Sequence, residues 1–229
     1  METTLLIIAL GAIIGGFVQG LSGFAFGMVS MSIWAWTIDP RLAAVLAVFG
    51  GLTGQIIAAV TVRRGFDALR IAPFITGGLL GLPIGLWLLP QLDVPLFKAL
   101  LGALLVTWCP LMLMSGKLPQ IEVGGRLADG VAGAAGGLLG ALGGFTGAIP
   151  TLWCTLRGWD KDAQRTVIQN FNLSMLAVTF AGYLLSGLVT VQMLPMLGIV
   201  ASAVLVSPMQ WPSRPIANTL ATTSKGPVL

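Results

Sequence analysis

Long stretches without charged residues dominate this sequence and are the strongest constraint on its fold. No charged side chain occurs in residues 5–36, 71–92, 130–156 or 166–206. Over the whole chain 56% of residues are hydrophobic and only 9% are charged, against about 25% charged residues in ordinary soluble domains. A bilayer core about 30 Å thick requires stretches of about 17–25 apolar residues. The sequence therefore predicts an all-α polytopic membrane protein.

A glycine-rich motif occurs twice, 121 positions apart. Residues 15–27 read GGFVQGLSGFAFG and residues 136–148 read GGLLGALGGFTGA, and five of the first ten aligned positions are identical. The same offset aligns Asp39 with Asp160, each just beyond an apolar stretch. Internal repeats of this kind are typical of transporters built from two related halves. The alternative is that the two segments are similar by chance, because the composition is rich in Gly and Leu.

The first apolar stretch has the wrong length for a simple membrane crossing. As one helix its 32 residues, 5–36, would extend about 48 Å, which is too long for one upright crossing and too short for two. A re-entrant hairpin of two half-helices fits this length, with its turn at Gly20-Leu21-Ser22-Gly23, because glycine tolerates positive φ. The alternative is one tilted helix whose glycines serve close helix packing. The second stretch, with 27 residues from 130 to 156, allows either form.

Polar segments divide the chain into two unequal halves. We predict a first membrane repeat over residues 1–116, a linker over 117–129, a second and shorter membrane repeat over 130–206, and a polar proline-rich tail over 207–229. The linker is the only long polar stretch between apolar segments. The tail has four prolines and no stretch long enough to span a membrane.

The distribution of cations favours the hairpins, because short cytoplasmic loops carry an excess of Lys and Arg. If each glycine-rich stretch crosses the membrane once, the twelve cations divide five against seven. If both stretches are re-entrant, the cations divide ten against two, with only Arg41 and Lys98 on the minority side. The second arrangement makes the second half start from the opposite face. The sequence therefore predicts inverted repeats, with the amino terminus and Asp39 on the non-cytoplasmic face.

The repeated motif resembles the sulfite exporter TauE/SafE family, whose members are anion permeases of two related halves. The resemblance is carried by GGFVQGLSGFAFG and GGLLGALGGFTGAIPTLWCTLRGW and extends over about residues 5–206. Members commonly have a proline soon after the motif, which Pro150 matches, while Val29 stands at the repeat-related position. Members commonly end in a further hydrophobic helix, whereas this sequence ends in the polar proline-rich tail. The resemblance implies a multi-pass protein that moves sulfite, sulfonates or related organic anions across the bacterial inner membrane.

Neutral groups supply the chemistry of the predicted membrane interior. All eight carboxylates lie at segment ends or in loops, the chain has no histidine, and no Lys or Arg lies within a span. A proton relay or cation site would need such a group near the midplane, whereas backbone N–H groups at broken-helix tips suit an anion. Each candidate also has a structural alternative in capping, packing or bonding a neighbouring helix. The predicted substrate-binding residues are Gln19, Ser22, Gly23, Gln55, Gly144, Thr146, Asn170 and Asn172.

A secondary transporter or permease for a small anion is the function that these features favour. The alternatives are a passive anion pore or an accessory membrane subunit of a complex, which the shortened second half would suit. No catalytic residue, cofactor or metal site is predicted, because histidine is absent and no carboxylate or thiol pair stands at catalytic spacing. The expected partners are the anionic substrate and the lipid bilayer. Nucleic acid is not expected, since the net charge of +4 resides at ends and loops. The sequence leaves open whether the protein forms a homo-oligomer.

Overall fold

The computed structural model describes residues 2–62, 65–114, 120–121 and 124–206, and the predicted tail lies outside these residues. All the regular structure in the described ranges is helical. Its nine α-helices are α1 (Glu2–Ser22), α2 (Phe26–Trp34), α3 (Pro40–Val62), α4 (Ala68–Leu88), α5 (Val94–Met114), α6 (Gly125–Gly143), α7 (Ala148–Leu156), α8 (Lys161–Leu185) and α9 (Leu194–Val206).

Five of these helices are long and apolar enough to cross a bilayer, namely α1, α3, α4, α5 and α8. Helix α9, with the 3-10 turn before it, forms a shorter apolar helix from Val191 to Val206. Many large apolar side chains lie on the outer surface, such as Leu80 and Leu113, which are 75% and 85% exposed. A surface of this kind suits lipid contact. The prediction of an all-α membrane protein is confirmed.

Helices α3 and α8 begin in the same way. Asp39 Oδ1 accepts hydrogen bonds from the backbone N–H groups two and three residues further on, at 2.8 and 3.4 Å. Asp160 Oδ1 accepts the equivalent bonds at 3.1 and 2.9 Å. Both carboxylates therefore cap a helix start. The two aspartates that the repeat offset aligns have the same structural role.

Helices α4 and α6 lie side by side with almost no side chain between them. A Cβ at Gly77 would overlap the carbonyl of Gly130, and a Cβ at Gly81 would overlap the carbonyl of Ala134. The contacts advance together along both helices, so α4 and α6 run parallel. Small residues allow this close approach where lipid leaves little hydrophobic drive for helix association.

Helix α8 packs against both α3 and α4. The contacts with α3 run in opposite directions along the two chains, so these helices are antiparallel. The contacts with α4 advance together, so α4 and α8 are parallel. For α3 and α8 the pairs in contact are Phe49 with Phe180 and Gly65, which follows α3, with Asn170. For α4 and α8 they are Phe74 with Phe171 and Leu86 with Gly182.

Helix α5 lies at the periphery. Its buried side chains are Phe97, Leu101 and Trp108, and most of its other large apolar side chains are exposed. The Trp108 ring makes an edge contact with Phe24, with 6.3 Å between the ring centroids. Helix α5 therefore reaches the segment between α1 and α2 through one aromatic residue.

Candidate functional site

A glycine follows the last residue of α1. Gly23 has a φ of +86°, in the left-handed region that favours glycine, and the chain turns into α2 at Phe26. Ser22 Oγ donates to Val18 O at 2.8 Å and accepts from the Ala25 N–H at 3.1 Å. The Ser22 hydroxyl is therefore used within the turn. We call this turn, residues 23–25, the first break.

Helix α2 folds back along α1. Ser30 Oγ donates to Gly11 O at 3.0 Å, and Trp34 Nε1 donates to Ile7 O at 3.2 Å. Later residues of α2 thus pair with earlier residues of α1, so the two helices are antiparallel. A Cβ at Gly11 would overlap the Trp34 indole. Glycine at this position is therefore what lets the indole lie against α1.

Two buried glutamines fasten the first break to α3. Gln19 Nε2 donates to Gly51 O at 2.9 Å, and Gln55 Nε2 donates to Gly23 O at 2.5 Å. These contacts advance together, so α1 and α3 run parallel. Gln19 Oε1 is buried and has no hydrogen-bond partner. The donors of both amides are thus committed to the fold, while one acceptor is unpaired.

A second break, residues 144–147, separates α6 from α7. Gly144 has a φ of +76°, and its N–H donates to Gly140 O at 2.7 Å. A Cβ at Gly140 would overlap the Thr146 side chain, and further along α7 Trp153 Nε1 donates to Asp129 Oδ1 at 2.7 Å. Later residues of α7 pair with earlier residues of α6. Helix α7 is therefore antiparallel to α6, as α2 is to α1.

Asn172 of α8 is the buried amide at the second break. Its side chain is fully buried, and its Oδ1 accepts from Thr146 Oγ1 at 2.8 Å. Its Nδ2 is buried and has no hydrogen-bond partner. A Cβ at Gly147 would lie 2.9 Å from this Nδ2, so the unpaired donor lies beside the residue that precedes α7. An unpaired buried donor costs about 1–3 kcal/mol, which a ligand oxygen would recover.

The start of α7 adds backbone donors beside Asn172. Helix α7 has no side-chain cap, and the first turn of any helix leaves N–H groups without intrahelical acceptors at the positive end of its dipole. Ala148 N–H makes one bond, to Phe145 O at 3.2 Å. Pro150, in this first turn, has no N–H to leave unpaired. Together with Asn172 Nδ2, the other N–H groups of this first turn can hold an oxyanion without a buried cation.

The two breaks contact each other. A Cβ at Gly27 would lie 2.9 Å from Gly144 O, and a Cβ at Gly147 would lie 2.6 Å from Phe24 Cβ. Both contacts join the start of α2 or the first break to the second break. Phe24 thus lies against Gly147, the same residue that Asn172 Nδ2 faces. The candidate site is enclosed between the two glycine-rich motifs.

The structure brings seven of the eight predicted residues to the two breaks and places the eighth elsewhere. Asn170 Nδ2 donates to Gly65 O at 3.2 Å and to Thr166 O at 2.9 Å. Positions two apart on a helix are rotated by about 200°, so Asn170 and Asn172 face different sides. The seven residues at the breaks are Gln19, Ser22, Gly23, Gln55, Gly144, Thr146 and Asn172.

The sequence reasoning missed three residues that shape the site. Phe24, Gly27 and Gly147 make the contacts between the two breaks. All three lie within the repeated motifs at 15–27 and 136–148, so the repeat itself was the signal that could have found them. Within the described residues, no group of three or more His, Cys, Asp or Glu side chains could hold a metal ion.

Five helices long and apolar enough to cross a bilayer define the protein as an integral membrane protein. Residues 7–209 match the family described as Sulfite exporter TauE/SafE. The protein therefore belongs to the sulfite exporter TauE/SafE family, a family of membrane transporters for sulfite and related anions. The resemblance inferred from the repeated motif is confirmed. Comparisons with curated proteins and with solved structures gave no match.

Proposed function

We propose that the protein is a secondary transporter or permease that moves a small anion, such as sulfite, a sulfonate or a related sulfur-containing or organic anion, across the bacterial inner membrane. The observation that carries the proposal is the unpaired Asn172 Nδ2, fully buried beside the start of α7. An oxyanion there would accept hydrogen bonds from Nδ2 and from backbone N–H groups. Both kinds of donor would then no longer carry the cost of being buried unpaired.

Both breaks contribute to the proposed anion site. Gly144 and Thr146 shape it from the second break, because Thr146 orients the Asn172 amide through its 2.8 Å bond to Oδ1. The first break supplies the facing wall, which is held by the two glutamine bonds to α3. Asn170 takes no part, since its amide donates to Gly65, beyond the end of α3, and to Thr166 of its own helix.

The two halves are inverted repeats in this proposal. Helix α1 runs parallel to α3, α3 is antiparallel to α8, and α8 runs parallel to α4 and α6. The helices that begin the two halves, α1 and α6, therefore run in opposite directions. The repeat offset, which aligns α1 with α6, α3 with α8 and α4 with α9, also relates the packing of the two halves. Helix α4 packs on α6 and α8 of the second half, and α9 packs on α1 and α3 of the first half. An inverted repeat accounts for both observations.

The depth of the first break supports a re-entrant hairpin. Gly23 lies opposite Gln55, and α3 continues seven residues further to Val62, a length of about 10 Å. Helix α2 then returns to Trp34, beside Ile7 near the start of α1. The first repeat, residues 1–116, then comprises α1 to α5. The second, residues 130–206, comprises α6 to α9, although α6 already begins at Gly125 within the predicted linker.

Transport would require the contact between the two breaks to open. Asn172 is fully buried in this conformation, and Phe24 lies against Gly147. Movement of the first hairpin away from the second would expose the Asn172 amide to one side of the membrane. The corresponding movement of the other repeat would expose it to the opposite side, as in alternating access. The enclosed site would then be the occluded state of a carrier.

Counterflow in liposomes tests the proposed function. Liposomes that contain the purified protein and unlabelled sulfite should accumulate radiolabelled sulfite from outside. The initial rate should saturate with external concentration, and sulfonates should compete. A rate that rises in proportion to concentration without saturation would indicate a pore. No flux from the purified protein, despite correct folding, would instead favour an accessory subunit.

A further inference from the structure

Three helices begin around a polar cavity at one end of the molecule. The cavity has a volume of about 600 Å³. Its lining includes Arg70 in the first turn of α4, Arg126 in the first turn of α6, Arg157 after α7 and Asp160 before α8. Because α4, α6 and α8 run parallel, the positive ends of their dipoles lie at this same end. Helix α6 has no side-chain cap, so its first N–H groups add donors.

The Trp159 ring lies close to two of these arginines. The guanidinium carbon of Arg70 is 5.7 Å from the ring centroid, and that of Arg157 is 5.9 Å from it. A guanidinium group over a ring keeps N–H groups at its edge for carboxylate or sulfonate oxygens. Leu69, which is 72% exposed, adds apolar surface to the same lining. The cavity therefore has both a cationic and an apolar wall.

The two carboxylates in the lining are already committed. Asp129 Oδ1 accepts from Trp153 Nε1 at 2.7 Å and from Arg157 Nη1 at 3.0 Å. Asp160 Oδ1 accepts from two backbone N–H groups at the start of α8. Of the three arginines in the lining, Arg157 is thus paired with Asp129, and Asp160 is used at the start of α8. The lining has a net positive charge.

Two of the arginines are available to a ligand. Arg126 is exposed and makes no hydrogen bond or ion pair with the part of the chain that the structure describes. Arg70 pairs with Asp67 at 3.2 Å, but both side chains are about half exposed, at 53% and 44%. An exposed pair of this kind is weak. Arg70 can therefore turn from Asp67 to a bound anion.

We propose that this cavity is a second anion site, which binds an organic sulfonate or carboxylate before or after its passage through the protein. The inference rests on the proposed function. Asp160 lies twelve residues before Asn172 on α8, which corresponds to about 18 Å, so the cavity is separate from the site at the breaks. Arg70 and Arg126 hold the oxyanion, and Trp159 contacts the organic body. Sulfite alone leaves the apolar wall unused, so the cavity favours larger anions.

Tryptophan fluorescence of the purified protein reports on this cavity. The probe is butanesulfonate, titrated in nanodiscs of neutral phosphatidylcholine, and the Trp159 component is the difference between the wild-type protein and Trp159→Phe. Butanesulfonate should change the Trp159 emission in a saturable way, and sulfite should do so only at concentrations at least tenfold higher. Increasing salt should weaken the response, because the contacts are exposed charge pairs.

Variants of Arg126 test the cavity directly, because this exposed side chain makes no hydrogen bond or ion pair within the described residues. Arg126→Gln should raise the half-saturating butanesulfonate concentration about tenfold, and Arg126→Lys should keep it within about threefold. Arg165→Gln, an exposed arginine on α8 outside the cavity, should leave it unchanged. Equal effects of Arg126→Gln and Arg165→Gln would overturn the proposal, since general charge would then explain the response.

Two further arms separate this inference from its alternatives. In Asn172→Leu the Trp159 response should persist, whereas sulfite binding at the breaks should be weakened. A wild-type protein that binds sulfite by calorimetry but shows no Trp159 response to butanesulfonate would overturn the second site and leave the proposed function standing.

Anionic lipid is the other source of an oxyanion. A Trp159 response to phosphatidylglycerol in the nanodisc, with none to butanesulfonate, would assign the cavity to lipid and overturn the proposal.

Discussion

Replacing Gly81 with alanine should destabilise the protein through the contact between α4 and α6. A Cβ at Gly81 would overlap the Ala134 carbonyl oxygen and lie 2.7 Å from its carbon and 3.0 Å from Ala134 Cα. These are backbone atoms, so no side-chain rotation relieves the overlap and the helices must move apart. Overpacking of this kind costs about 1–3 kcal/mol. Separation also weakens the neighbouring contacts of Gly77 and Gly85, which favours the upper part of that range.

The matched control is Gly102→Ala in the peripheral helix α5. A Cβ at Gly102 would meet no atom within 4 Å. Alanine is favoured over glycine within a helix by up to about 1 kcal/mol. Gly102→Ala should therefore be neutral or stabilising, although it makes the same chemical change in the same kind of apolar helix.

The free energy of unfolding, measured by titration with SDS in mild detergent micelles, separates the two variants. We expect Gly81→Ala to lose about 2–3 kcal/mol and Gly102→Ala to lose nothing. Wild-type stability of Gly81→Ala would refute the close approach of α4 and α6. An equal loss in both variants would show that the effect comes from the substitution itself and not from the contact.

Three further predictions concern the breaks, the end of α7 and the topology. Gly23→Leu and Gly144→Leu should abolish sulfite binding in calorimetry. Gly23→Ala, which shares the backbone strain without the bulk, should have a smaller effect on binding. Gly11→Leu should lower the melting temperature more than it lowers sulfite affinity. Trp153→Phe should lower the unfolding free energy by about 1–3 kcal/mol, because the buried Asp129 loses a donor; an unchanged value in the SDS titration would show that this bond is not needed. Single cysteines at positions 2 and 39 in a cysteine-free background should both be labelled from the non-cytoplasmic side, and labelling from opposite sides would exclude the first hairpin.

Local sequence signals account for several of the helix ends. Gly23 and Gly144 lie in the repeated motif and both adopt a positive φ, a conformation for which glycine is the ordinary residue. Asp39 and Asp160 precede apolar stretches and cap helix starts. The turn falls slightly later than predicted, because α1 continues through Gly20 to Ser22. Small residues in a helix do not end it unless a positive φ or an unpaired backbone group requires the end.

Long-range packing decided what the sequence left open. Asn170 and Asn172 are both amides in an apolar helix, and only the arrangement of α3 and α7 around α8 determines which of them faces the breaks. The bond between Thr146 and Asn172 joins residues 26 positions apart. The contact between the two breaks depends on glycines at helix crossings such as Gly27, whose role appears only when the partner backbone is in place. Composition alone does not specify such pairings.

Sulfite affinity of Asn172→Leu, compared with that of Asn170→Leu, tests the central claim most directly. Both variants replace an amide by an apolar side chain of similar size on the same helix, and calorimetry on the purified, folded proteins measures the dissociation constant. Asn172→Leu should weaken binding about 5- to 150-fold, because it removes a buried donor worth about 1–3 kcal/mol. Asn170→Leu should stay within about twofold of the wild-type protein. Equal affinities in the two variants, or a larger loss in Asn170→Leu, would contradict an anion site at the meeting of the two breaks.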